Sequence, residues 1–191
     1  MRDAAGQRGR DEKRFVELYE RAYADVLRYA CRRVDEDTAR DAAAETFLVA
    51  WRRLDVIPAE PLPWLYGVAR GVLANESRRT RRQGRTARRI AASPPVAPRD
   101  HSDRIGEKEL VAAALATLSE ADLEVISLVA WEGLEAQAAA QVVGCSTSAF
   151  SVRLHRARQR LQLALTDQQV ERPPAGTSSS GGRVSGEELT R

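Results

Sequence analysis

The chain has 191 residues, 43% of them hydrophobic and 30% charged, a balance that excludes a wholly disordered or collagen-like chain. With 30 Lys and Arg against 27 Asp and Glu, the formal net charge is +3, too mild to mark a nucleic-acid binder by itself. No run approaches the roughly 18 consecutive apolar residues of a membrane-spanning helix, and the leader MRDAAGQRGRDEKR lacks the apolar stretch of a secretory signal, so a cytoplasmic protein without membrane insertion is expected.

Apolar residues recur at helical spacing and β-branched alternating runs are absent, so the predicted class is all-α. After the polar leader, Phe15, Leu18, Ala22, Val26 and Tyr29 make one stripe of a first helix reaching about Val34. The cluster Asp35-Glu36-Asp37-Thr38 puts acids at the positive end of a second helix, whose buried stripe is Ala39, Ala43, Phe47, Ala50 and Leu54. Pro58, Pro61 and Pro63 then force a loop, and Pro63 suits the first position of a third helix that runs to Arg82.

Periodicity then fails, and Ser93-Pro94-Pro95-Val96-Ala97-Pro98 cannot be helical. The chain therefore divides into a first helical domain over 12–82, a flexible linker over 83–106, a second helical domain over 107–166 and a disordered tail over 167–191. In the second domain Leu110, Ala114 and Leu118 share a face, and Ser119 caps a helix carrying Leu123, Ile126 and Val129. The next segment, Glu132 to Gly144, reads as a short Ala-rich helix closed by that glycine. Ser146 and Thr147 cap a last helix buried through Phe150, Leu154, Ala157 and Leu161.

The chemistry-bearing residues exclude more than they include. Cys31 and Cys145 lie far apart, the histidines are only His101 and His155, and no metal cluster, phosphate loop or nucleophile elbow is present. No catalysis, metal or cofactor is expected. The last two helices have the length and turn of a helix-turn-helix, although helical hairpins of this size also occur as packing units. On the last helix Ser148, Ser151, Val152, His155, Arg156 and Gln159 point away from the buried stripe, small residues first and arginine later. That order suits entry into a major groove, and Arg153, Arg158 and Arg160 extend a positive rim with no acid among them.

A second basic feature is Arg78, Arg79, Arg81, Arg82, Arg85, Arg88 and Arg89, following Trp64, Tyr66 and Asn75. Such a run is commonly a solvated face, and Trp64 and Tyr66 fit core packing as well as base stacking. The outer face of the second helix, with Asp41, Glu45, Leu48 and Arg52, fits either a solvated surface or a site for another protein's basic helix.

Three segments at consistent spacing carry a resemblance. Asp41 to Trp51 (DAAAETFLVAW), Trp64 to Arg70 (WLYGVAR) with Leu73-Ala74-Asn75, and Trp131 to Leu134 (WEGL) with Arg153 to Arg158 (RLHRAR) resemble the extracytoplasmic-function (ECF) sigma factors of bacterial RNA polymerase. The similarity spans roughly residues 12 to 166. It implies a sigma-2 and a sigma-4 domain that bind core polymerase and promoter DNA. Asp41, Glu45, Leu48 and Arg52 would meet the clamp coiled coil of the beta-prime subunit. The loop from Asp55 to Leu62 and the third helix, through Trp64, Arg70, Asn75, Arg78 and Arg79, would recognise and melt the minus-ten element. Ser148, Ser151, Val152, Arg153, His155 and Arg156 would read the minus-thirty-five element, with the same domain seated on the beta flap. The linker would thread toward the active-site cleft and RNA exit channel. An anti-sigma factor is a frequent partner in the family, and nothing in this chain identifies one.

The chain departs from the family at Gly71, where many members carry Asn, at Ala44, where many carry Gln, and at Ala138, where many carry Glu. Gly71 weakens a helix interior by about 1 kcal/mol relative to Ala and removes a possible base contact. An ordinary helix-turn-helix regulator is the competing reading, but it leaves the Asp41 and Trp64 helices without a role. A helical enzyme competes less well, for want of a catalytic constellation.

Overall fold

The computed structural model describes residues 2–83 and 105–171. Its helices are α1 (Arg2–Cys31), α2 (Glu36–Arg52), α3 (Pro61–Gln83), α4 (Ile105–Ala116), α5 (Glu120–Ala130), α6 (Ala136–Val143) and α7 (Thr147–Glu171), with a 3-10 turn at Leu54–Val56. No strand occurs among the described residues, in agreement with the all-α expectation. None of their helices is long and apolar enough to cross a membrane.

Helices α1, α2 and α3 pack pairwise into the first domain. The α2 stripe behaves as its spacing demands: Ala39, Ala43 and Ala50 are fully buried and Phe47 nearly so. The small residues let α2 approach its neighbours closely, and Phe47 meets the α1 rings Phe15, Tyr19 and Tyr23, with Tyr19 edge-on at 4.9 Å. Asp35 caps α2 by accepting from the Thr38 backbone N–H at 3.1 Å, and also from its hydroxyl at 2.8 Å. These two bonds, the backbone one foremost, hold its carboxyl below the usual carboxylate range.

Several boundaries differ from expectation: α1 ends at Cys31 rather than near Val34, and α6 begins at Ala136 rather than Glu132. The polar leader is helical from Arg2, where side-chain bonds at helical spacing, such as Gln7 to Asp11 at 3.0 Å, replace an apolar stripe. Pro61, not Pro63, opens α3; both prolines fit the first turn because its N–H groups have no partner within the helix. Helix α7 continues to Glu171, past the boundary assigned at 166. Gln83, Ile105 and Gly106, assigned to the linker, are helical, while the remainder of the linker and the chain beyond Glu171 lie outside the described residues.

In the second domain α7 packs against α4, α5 and α6. Ser119 caps α5 by accepting from the Asp122 N–H at 3.2 Å, and Ser146 does the same for α7 from Ala149 at 3.2 Å. Phe150 and Ala157 are fully buried, with Leu154 and Leu161 half-buried beside them. The α5 stripe is broader than the sequence suggests, because Val125 and Leu128 are buried as well. They join the core of the first domain, so one apolar cluster runs through both.

Gly144 ends α6 at φ 71, ψ 43, a left-handed conformation that disfavours any residue with a Cβ. A Cβ there would meet nothing within 4 Å, so Gly144→Ala tests the backbone alone. The expected cost is about 1 kcal/mol, read as a lower urea midpoint at unchanged slope.

Candidate nucleic-acid interface

On α7 the buried stripe fixes what faces out. Ser148, Ser151, Val152, His155, Arg156 and Gln159 are all exposed, as predicted from their spacing, and so is Arg153 of the expected rim. At 100° per residue, Ser148, Val152, His155 and Gln159 lie opposite Phe150, with Arg156 beside them and Arg153 turned toward the flank. The Ser151 hydroxyl donates to the Thr147 carbonyl at 2.9 Å, which lays it along the helix and keeps the N-terminal end low enough for close approach. Arg160 departs from the predicted acid-free rim: its guanidinium donates to both carboxylate oxygens of Asp122, at 2.7 and 2.8 Å, and braces α7 on α5. A free basic rim at that position is therefore corrected to a structural tie.

The residues proposed for the minus-ten surface do not all meet. Trp64, Asn75, Arg78 and Arg79 fall along one side of α3. Arg78 donates to the Asn75 side-chain oxygen at 3.0 Å and to the Ala74 carbonyl at 3.1 Å, and Arg79 lies 4.0 Å from Glu76. Trp64 is half-buried against the core, so part of its indole packs while part remains available. Tyr66 is core alone: it is 3% exposed and stacks on Tyr29 at 4.9 Å. Burial, with Glu132 nearby, pushes its phenol up to about 12. Arg70 points another way and approaches Glu124 of α5 to 4.0 Å.

On α2, Asp41, Glu45, Leu48 and Arg52 are exposed at steps of three and four residues and form a single line. Leu48 is 43% exposed, an apolar residue between Glu45 and Arg52 on that line. Trp51 beside it is 40% exposed and rests edge-on against Phe15 at 5.1 Å.

Sequence reasoning missed the polar seam between the domains. Tyr29 at the end of α1 donates to Glu124 at 2.8 Å, Arg33 donates to the other oxygen of Glu124 at 2.8 Å and to Ser127 at 2.9 Å, and Arg32 donates to Glu132 at 2.7 Å. The Arg33 guanidinium lies 3.5 Å from the centre of the Tyr29 ring. Burial raises the Tyr29 phenol well above the ordinary tyrosine range, against the pull of Arg33, so its hydroxyl stays a donor.

Two regions of the chain match known families. Residues 18–83 match Sigma-70 region 2 and residues 108–161 match Sigma-70 region 4. That pair, on two helical domains with exposed faces on α2, α3 and α7, defines a two-domain protein of the Sigma-70 class. Among curated relatives, the ECF RNA polymerase sigma factor SigL of Mycobacterium tuberculosis is 32% identical over 162 residues, covering 81% of this chain and 90% of SigL. The probable RNA polymerase sigma factor RfaY of Xanthomonas campestris is 30% identical over 132 residues, 65% of this chain but 33% of that longer relative. Among solved structures, CnrH in complex with the cytosolic domain of CnrY is 29% identical, with a TM-score of 0.55 over 80% of this chain and 88% of that one. The chain belongs to the ECF RNA polymerase sigma factors.

Proposed function

We propose that this chain is a dissociable initiation subunit that binds core RNA polymerase, directs it to particular promoters and helps open the minus-ten region. The observation that carries the reading is the presence of both Sigma-70 regions in one chain, each displaying an outward polar face on a packed helical scaffold. The line Asp41, Glu45, Leu48 and Arg52 supports docking on the beta-prime clamp, with its acids facing a basic helix. Ala44, also exposed, offers no polar contact there. The Ser148 to Arg156 face supports reading of the minus-thirty-five element as duplex, where arginine can fork onto guanine or phosphate.

Opening the minus-ten element needs no bond chemistry. Each captured base stacked on an aromatic side chain is worth about 1–3 kcal/mol, which offsets lost stacking and pairing. Trp64 supplies such a platform, and Asn75, Arg78 and Arg79 supply an amide and phosphate contacts on the same side of α3. Arg70 joins them only after it leaves Glu124. In this reading the domains are 12–82 and 107–166, extended by the helical residues at either end, and the protein acts in the cytoplasm as a regulator rather than an enzyme. An anti-sigma factor that covers these surfaces is the matching partner class; CnrH is solved in complex with a protein partner, the cytosolic domain of CnrY.

The test is run-off transcription with purified core polymerase and genomic promoter fragments. The full chain should yield discrete transcripts, and Asp41→Lys should lower core affinity by roughly 5- to 30-fold, the effect of about 1–2 kcal/mol, without loss of helical circular dichroism. High-affinity sequence-specific duplex binding by the chain alone, with no core binding, would identify an ordinary helix-turn-helix regulator instead.

A further inference from the structure

Helix α7 is held along a line. Phe150 and Ala157 are fully buried and, seven residues apart, lie within about 20° of each other around the helix, so they form an axle about which it can roll. On one flank of that line the half-buried Leu154 and Leu161 fill the space against the core. On the other flank the half-buried residues are Ala149 and Ala164, too small to do the same. Apolar packing is non-directional, and alanine offers the least of it, so burial alone leaves the roll weakly determined in that direction. Arg160 lies on this second flank, about 80° from Phe150 and about 40° from Arg156.

The tie it makes is directional. One nitrogen, Nη1, donates to both oxygens of Asp122, at 2.7 and 2.8 Å. Asp122 is itself held: its Oδ2 accepts from the Ser119 hydroxyl at 2.8 Å, its backbone N–H donates back to that hydroxyl at 3.2 Å, and its side chain is 13% exposed. The acceptor is therefore fixed to the first turn of α5, a helix that packs against α7. Roll matters most at the outer face. At a side-chain radius of roughly 6 Å, a roll of about 10° displaces a tip by about 1 Å, more than the whole window of about 2.7–3.2 Å in which an N–H···O bond is made.

We propose that Arg160 is a positioning residue for promoter recognition: by tying α7 to Asp122 it sets the roll of the helix, and with it the aim of His155 and Arg156 at base edges, without touching DNA itself. The inference rests on the initiation-subunit reading, in which that outer face reads the upstream element. The Arg160 side chain is 57% exposed, and an ion pair open to water on one side adds little to stability. Its loss therefore shows in sequence discrimination rather than in the urea midpoint. The sign at Asp122 is the telling one. Removing that acid makes the chain more basic, which on charge alone strengthens DNA binding, whereas loss of the tie weakens discrimination.

The test measures transcription by core polymerase with the full chain, from a promoter with its upstream element intact and with that element scrambled. Wild type is compared with Arg160→Ala, Asp122→Ala and the double variant. Each single variant should reduce the intact-to-scrambled ratio roughly two- to fivefold, the most that an exposed ion pair can hold in place, and the double variant should lose no more than either. The salt slope of promoter binding should not change in Arg160→Ala, whereas loss of a phosphate contact would lower it by about one. Should Asp122→Ala lose helical circular dichroism, Asp122→Asn, which keeps an acceptor for Ser119, must show the same loss in smaller degree. Ratios equal to wild type, losses that add in the double variant, or a lowered salt slope would overturn the positioning role. Absence of transcripts from every form would instead sink the initiation-subunit reading, and the same comparison, made on duplex binding by the chain alone, would then decide the tie.

Discussion

Phe150→Ala is expected to lower the stability of the chain by about 3–5 kcal/mol, the range for truncating a buried phenylalanine without full collapse of the cavity. Phe150 is fully buried near the start of α7 and belongs to the cluster that runs through both domains. A domain of this size is stabilised by about 5–15 kcal/mol, so the loss is roughly a fifth or more of the total. Urea denaturation followed by circular dichroism should give a much lower midpoint. Val152→Ala, two residues on and 50% exposed, should move it by less than about 0.5 kcal/mol. Similar effects from the two variants would mean that the inward and outward faces of α7 have been misassigned.

The contrast between Phe150 and Val152 was legible in the sequence because periodicity reports burial directly. The same holds for Ala39, Ala43, Phe47 and Ala50, and for the caps at Ser119 and Gly144, where local chemistry determines local geometry. The start of α1 was not legible, since residues that bury nothing have no apolar period, and a helix held by neighbours such as Gln7 and Asp11 resembles a polar leader. The separation of Arg70 from Asn75 could have been found by arithmetic: five residues turn a helix by 500°, which leaves the two side chains about 140° apart.

The seam is a different case. Tyr29 and Glu124 are 95 positions apart, and an ion pair between distant segments imposes no spacing on either. Arg32 and Arg33 read simply as cations at a helix C-terminus, where the macrodipole favours them anyway. The breadth of the α5 stripe was a usable signal. Val125 and Leu128 are apolar yet stand off the Leu123, Ile126 and Val129 line, and a second apolar face on a short helix implies a second neighbour.

Arg156→Ala should weaken initiation at promoters that depend on the upstream element by about 1–3 kcal/mol, roughly 5- to 150-fold, the worth of one bidentate arginine contact to a guanine. Arg156 is exposed on the outer side of α7, and its neighbours there, Ser148, Ser151 and Val152, are small enough to let the helix approach base edges. The chemistry of the contact can be separated by salt. A phosphate contact would be lost equally on all promoters and would reduce the salt slope of binding by about one, whereas a base contact would be lost only where its base pair is present. The discriminating assay compares transcription from a promoter with its upstream element intact and with that element scrambled, for wild type and variant. Base readout predicts that scrambling costs the wild type heavily and the variant little. Equal sensitivity of both proteins to scrambling, with unchanged strength on the intact promoter, would remove Arg156 from the DNA interface and leave recognition to the Ser148 end of the helix.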